Sequence, residues 1–213
     1  RSLPITVTPK PVSNSFAESN LLFNGVLGAA SPVMVYKNDT PTISLQIPET
    51  PSGLTAVNYQ YYKKNLDATY SEVALSDVKN AGEYQIRITF PNANMFNSTS
   101  NYYTTLPYIS KNFVIEKKPV WVSSALVSPR EYASDNWPAA VVNFSQNAVV
   151  GAIGGDSLNI TVQGQYAAIN PPLYVPTSRV DLTWSINEQN YTFDSSKAVS
   201  SVLAQVSQIG RAH

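Results

Sequence analysis

Residues 82–90, Gly82-Glu83-Tyr84-Gln85-Ile86-Arg87-Ile88-Thr89-Phe90, alternate apolar and polar side chains from Tyr84 onward without a break. Tyr84, Ile86, Ile88 and Phe90 share one face; Gln85, Arg87 and Thr89 share the other. A period of two predicts a half-buried strand of an antiparallel sheet, with the first set buried together and the second facing solvent. Similar short patterns recur along the chain. Candidate strands are Leu3–Pro9, Leu21–Phe23, Val33–Tyr36, Thr42–Ile47, Val57–Lys63, Phe113–Glu116, Val120–Ser123, Ala139–Phe144, Leu158–Val162, Val180–Ile186 and Asn190–Phe193. Turns fall between them, at Asn24-Gly25, Pro48–Gly53, Gly154-Gly155-Asp156 and Pro171-Pro172. Residues 10–20 and 91–105 read as polar loops, and Tyr70–Val78 is ambiguous. Lys197–Gln208 has apolar residues spaced by three and four, which fits a helix better than a strand; the last residues are expected to be helical or frayed.

Five or more short strands in each half predict an all-β chain of sandwich type. The junction Lys117-Lys118-Pro119 places charge and proline between two strand patterns and marks a boundary. The expectation is two consecutive modules, residues 1–117 and 118–213, arranged end to end. Their fold would be immunoglobulin-like, or β-grasp-like for the first, because strand order is not written in a single sequence.

Composition narrows the class. The 213 residues carry 14 basic and 14 acidic side chains, only 13% charged, so no excess positive charge favours nucleic acid or anionic lipid. A hydrophobic fraction of 43% argues against disorder. The 13 tyrosines and 15 prolines, against 9 glycines, suit strands and their breaks. Cysteine is absent, which fits a bacterial surface protein better than a secreted eukaryotic sandwich. No apolar run approaches the roughly 20 residues that span a bilayer. The sequence starts at Arg1 without a leader and is expected to be a piece of a longer secreted chain, flanked by further repeats. Five N-x-Ser/Thr sites, at Asn38, Asn97, Asn143, Asn159 and Asn190, sit close to the roughly three or four that this composition yields by chance.

Three segments of the first half occur in a telling order: Leu22-Phe23-Asn24-Gly25, then Ala81-Gly82-Glu83-Tyr84-Gln85-Ile86, then Phe113-Val114-Ile115-Glu116-Lys117. This order resembles the MBG repeats of large bacterial surface proteins. In the second half, Gly155-Asp156-Ser157-Leu158, Gly164-Gln165-Tyr166, Val180-Asp181-Leu182 and Asn190-Tyr191-Thr192-Phe193 are similar to the YDG repeats. The second likeness covers most of residues 118–196 and departs at the naming motif, where Glu131-Tyr132-Ala133-Ser134-Asp135 holds the tyrosine without a following Asp-Gly. The resemblance implies non-catalytic spacer modules of an extracellular, cell-surface adhesin, built in series to present an adhesive tip. Two other functions are weighed beside it: direct binding of a glycan or host surface protein, and an accessory module of a secreted glycanase.

Catalytic chemistry has few residues to draw on. The sole histidine is His213, and with no cysteine the Ser-His-Asp, Cys-His and His-metal arrangements lack their parts. The acidic residues are scattered, so an enzyme is not expected, nor a cofactor, nor a metal site; Asp156 reads as a turn former. Tyr59, Tyr61, Tyr84 and Trp184 alternate into candidate cores. Tyr62, Tyr102, Tyr103 and Trp137 fall out of register or in loops and are the candidate ligand-binding aromatics. A final candidate is an isopeptide crosslink from Lys10 to Asn112, assisted by Glu83 as a buried acid.

Overall fold

The computed structural model describes residues 4, 10–12, 21–29, 32–45, 58–89, 102–104, 109–132, 137, 139–167 and 175–208. Within these the protein is all-β, with two short 3-10 turns and no α-helix. The chain divides into two compact units, Arg1–Glu116 and Lys117–His213. Each of the six sheets among the described residues draws its strands from one unit.

Unit 1 contains β1 (Lys10–Val12), β2 (Leu21–Phe23), β3 (Val26–Leu27), β4 (Val33–Val35), β5 (Ile43–Leu45), β6 (Asn58–Lys64), β7 (Tyr70–Val73), β8 (Gly82–Thr89), β9 (Tyr102–Thr104) and β10 (Ile109–Glu116). The main sheet has the order β4-β10-β8-β6-β7, a second has β3-β2-β5, and β1 pairs with β9. The β8 alternation sets the core: Tyr84, Ile86 and Ile88 are at most 1% exposed. Gln85, Arg87 and Thr89 are half-buried on the opposite face, and Phe90 lies outside the described residues. Phe113 and Ile115 of β10 and Tyr61 of β6 extend the same buried face. The second sheet closes over it. Phe23 of β2 packs on Phe113 with ring centroids 5.3 Å apart, and Phe113 stacks on Tyr84 at 5.4 Å. Two sheets with interleaved aromatic side chains form the sandwich.

Local sequence fixes two corners of unit 1. Phe23 pairs with Val26, so Asn24 and Gly25 alone make the β2–β3 turn. Both have positive φ, 47° and 83°, the primed turn that Asn-Gly favours. Asn24 Oδ1 also accepts from Thr42 N at 2.8 Å, tying the turn to the start of β5. At the other corner, the 3-10 turn Leu75–Asp77 leads into β8, and the Tyr84 hydroxyl donates to Asn80 O at 2.8 Å. A buried tyrosine at the start of a strand, bonded back to the backbone four residues earlier, makes a tyrosine corner, an arrangement also found in immunoglobulin domains.

Unit 2 contains β11 (Lys118–Val122), β12 (Leu126–Val127), β13 (Arg130–Glu131), β14 (Val142–Asn143), β15 (Val149–Val150), β16 (Ile160–Tyr166), β17 (Thr177–Ile186), β18 (Tyr191–Phe193) and β19 (Ser201–Ser207). Its sheets have the orders β13-β19-β17-β16, β15-β11-β18 and β12-β14. Val120, Val122, Val180 and Ala204 have no exposed surface and mark the core. Trp184 is half-buried, stacked on Phe193 at 5.6 Å, and its indole N–H donates to Val199 O at 2.8 Å.

Two sequence expectations need correction. Residues 201–207 form strand β19, not a helix, because both its edges find partners: β17 over Thr177–Asp181 and β13 over Arg130–Glu131. Its buried residues are Ala204 and Val206, with Val202 half-buried, a period of two that Leu203 obscures; Leu203 is 63% exposed. Residues 10–12 and 102–104, expected in loops, are strands that pair with each other in parallel. Their partners come from opposite ends of the unit, so no local pattern announces them. The expected Leu3–Pro9 strand lies, Pro4 apart, outside the described residues.

One close approach in unit 2 gives a prediction. Gly164 of β16 is buried, and a Cβ there would sit 2.5 Å from Val142 Cγ2, 3.0 Å from Val180 Cγ1 and 3.1 Å from Ala140 Cβ. Gly164→Ala is therefore expected to destabilise the unit by about 1–3 kcal/mol through overpacking. Protection of β16 and β17 amides against hydrogen exchange measures it; unchanged protection would mean that the chain relaxes freely there.

Candidate functional site

The four candidate aromatics do not form one patch within a unit: Tyr62, Tyr102 and Tyr103 belong to unit 1 and Trp137 to unit 2. Tyr62 sits on β6 opposite Gln85 of β8, on the outer face of the sheet. The Arg87 guanidinium lies 3.8 Å over its ring, a cation–π contact. Arg87 Nε donates to Gln85 Oε1 at 2.8 Å, and Gln85 Nε2 donates to Asn112 Oδ1 at 3.0 Å. Tyr62, Arg87, Gln85 and Asn112 thus form a polar ladder across three strands. Tyr102 and Tyr103 are on β9, in register with Lys10 and Pro11 of β1. The side chains of Tyr102, Tyr103 and Lys10 lie outside the described set.

The crosslink candidates are placed by the same ladder. Asn112 is exposed and bonded to Gln85. Glu83 is exposed and its carboxylate meets Lys64 Nζ at 2.6 Å. That contact raises the Lys64 ammonium above its ordinary range, chiefly through the hydrogen bond its Nζ donates to the Glu83 carboxylate and then through the carboxylate's charge. Glu83 therefore does not supply the buried acid that the crosslink requires.

Asp156 follows Gly155, which turns at φ 90°. Its carboxylate accepts a short hydrogen bond from the Tyr191 hydroxyl, whose oxygen in turn accepts from Ile153 N at 3.1 Å. The acid fastens a turn to β18. Among the described residues, no group of three or more His, Cys, Asp or Glu side chains could hold a metal ion. Asp67 and Asp194 titrate below the ordinary carboxylate range because the hydroxyls of Thr69 and Ser196 donate to them within tight turns. Among the described residues, no helix is long and apolar enough to cross a membrane.

Trp137 sits in a cluster of its own in unit 2. The Arg130 guanidinium lies 4.3 Å over the indole and 5.3 Å from the Tyr166 ring. Tyr166 meets Trp137 edge-on, 4.9 Å between centroids at 84°. Arg130 Nε donates to Glu131 O at 3.0 Å, while Arg130 Nη1 is buried without a hydrogen-bond partner among the described residues. The two rings are what offset the guanidinium charge. Beside this trio a cleft of about 520 Å³ is lined by Trp137, Ala139, Ala140, Val162–Tyr166 and Thr183. A second cleft, of about 680 Å³ in unit 1, runs along β6 and the end of β7, with Tyr59, Gln60 and Glu72 among its walls.

Sequence reasoning picked out Trp137 but not Arg130, Gln163, Gln165 or Thr183. The alternation of β16 does put Gln163 and Gln165 on its exposed face, yet nothing local says that this strand ends a sheet. Comparison of the chain with family models, curated proteins and solved structures finds no match.

Proposed function

We propose that these are serial, non-catalytic β-sandwich modules of an extracellular surface protein, which space an adhesive tip from the cell and carry tension along the chain. The reading rests on the likeness to MBG and YDG repeats and, physically, on one observation: in both units the early and late strands pair in parallel. β4 runs parallel to β10, which ends unit 1, with Val33, Met34 and Val35 opposite Val114, Ile115 and Glu116. Hydrogen bonds from Val114 N to Pro32 O at 3.0 Å and from Tyr36 N to Glu116 O at 2.9 Å bind this pair. In unit 2, β11 runs parallel to β18 and β13 to β19. Lys118 N donates to Asn190 O, and Asp194 N to Val120 O, both at 2.8 Å.

Pulling the chain ahead of β4 against the end of β10 drags two strands past each other along their length. Their hydrogen bonds are then loaded together. In an antiparallel hairpin pulled from its open end, the bonds break one after another. Parallel pairing of an early with a late strand therefore suits a module that works under tension, and the tyrosine corner supports an immunoglobulin-like assignment for unit 1.

Single-molecule force spectroscopy tests this. Stretched through its termini, unit 1 should rupture at a higher force than when pulled through cysteines introduced at Asn58 and Ala74, which peel β6 from β7. Val114→Pro removes the donor to Pro32 O and should lower the first force but not the second. Equal forces in the two directions would refute the tension-bearing role.

A further inference from the structure

We propose that the cleft beside Trp137 is a binding site for a neutral, pyranose-based saccharide. This goes beyond the spacing role, which needs no site. Arg130 and Tyr166 hold the indole in place, so the aromatic surface facing the cleft is set before any ligand arrives. Such preorganisation lowers the entropy lost on binding. The carbon-bound hydrogens of a pyranose ring pack on an aromatic surface, and its hydroxyls need neighbours that both donate and accept. Gln163, Gln165 and Thr183 line the same cleft and have amide and hydroxyl groups of that kind. The cleft volume, about 520 Å³, lies in the range of small-ligand sites and is more than one sugar ring fills.

The ligand's charge follows from the walls. None of the lining residues is acidic or basic; the nearby Arg130 guanidinium lies over the two aromatic rings and is not part of the cleft wall. A carboxylated sugar would find no ionic partner in the cleft. Among the described residues β16 ends its sheet, and its outer edge carries one bridge, from Ala140 N to Gly164 O at 3.0 Å. An extended peptide adding to that edge is the competing occupant. The polar groups on the outer face of the strand, and the ring packed against its inner face, favour the sugar.

The test is an amide-resolved NMR titration of the whole chain. The probes are cello-, manno-, xylo- and galacto-tetraose, with trigalacturonate as the acidic comparison and an alternating Val-Thr hexapeptide as the edge-strand comparison. At least one neutral tetraose should produce saturable shifts at Gln163–Tyr166 and at the Trp137 indole N–H. The double variant Gln163→Ala, Gln165→Ala removes two exposed side chains and should leave the rest of the spectrum in place. It should weaken binding about tenfold, the loss of two ordinary hydrogen bonds. Four results would overturn the proposal: no shift with any neutral tetraose, shifts with trigalacturonate alone, shifts with the peptide alone, or binding that is unchanged in the double variant.

Discussion

Replacing Ile86 by alanine is expected to destabilise unit 1 by about 2–5 kcal/mol, the cost of lost burial plus the cavity left behind. Ile86 has no exposed surface and sits between Tyr84 and Ile88 on the buried face of β8. In register it lies between Tyr61 of β6 and Lys111 of β10, in the middle of the five-stranded sheet. Strands on both sides are pinned by their own ladders, so the backbone cannot collapse into the space. Arg87→Ala, one residue along, is the matched comparison. It removes a half-exposed cation–π contact with Tyr62 and should cost about 0.5–1 kcal/mol. Native-state hydrogen exchange on the β8 and β10 amides reports both changes within unit 1. A loss below about 1 kcal/mol for Ile86→Ala, or a larger loss for Arg87→Ala, would mean that the faces of β8 are assigned the wrong way round.

That assignment was legible in the sequence because β8 is long and has one wet and one dry face. Period two is then enforced residue by residue, and Tyr84, Ile86 and Ile88 fall where the pattern puts them. Asn24-Gly25 was equally legible, since few dipeptides accept two successive positive φ values. What the sequence hid was pairing at a distance. Lys10–Val12 and Tyr102–Thr104 are each too short to show a period, and each is a strand only because the other is there. β19 was hidden differently: Ala204 is small enough to be passed over in a count of apolar residues, yet it is fully buried. The cleft shows the same division. Trp137 stood out by residue type. Gln163 and Gln165 acquire meaning only once β16 is seen to end its sheet and Arg130 to hold the indole.

Alkaline pH should separate the wild-type protein from Tyr84→Phe in a way that changes sign. The Tyr84 hydroxyl is pushed up to about 12, mainly by burial and secondarily by the negative charge of Asp77. An unfolded tyrosine titrates near 10. Below pH 10 both states keep the proton, and the native hydrogen bond from Tyr84 to Asn80 O contributes in full. There Tyr84→Phe should be the less stable protein, by about 0.5–1.5 kcal/mol. Between about pH 10 and 12 the unfolded chain gives up the proton while the folded one retains it. The unfolded state then binds fewer protons, so stability falls as pH rises, by about 1.4 kcal/mol per unit and about 2–3 kcal/mol over the interval. Phenylalanine has no proton to lose and escapes this decline. The two stability curves should therefore cross above pH 10, with Tyr84→Phe the more stable protein near pH 12. Tyr61, also raised by burial, is present in both proteins and cancels from the difference. Hydrogen-exchange or denaturant midpoints measured for both proteins from pH 8 to 12 provide the comparison. Curves that stay parallel throughout would show that the Tyr84 hydroxyl meets solvent in the folded protein and that no tyrosine corner closes unit 1.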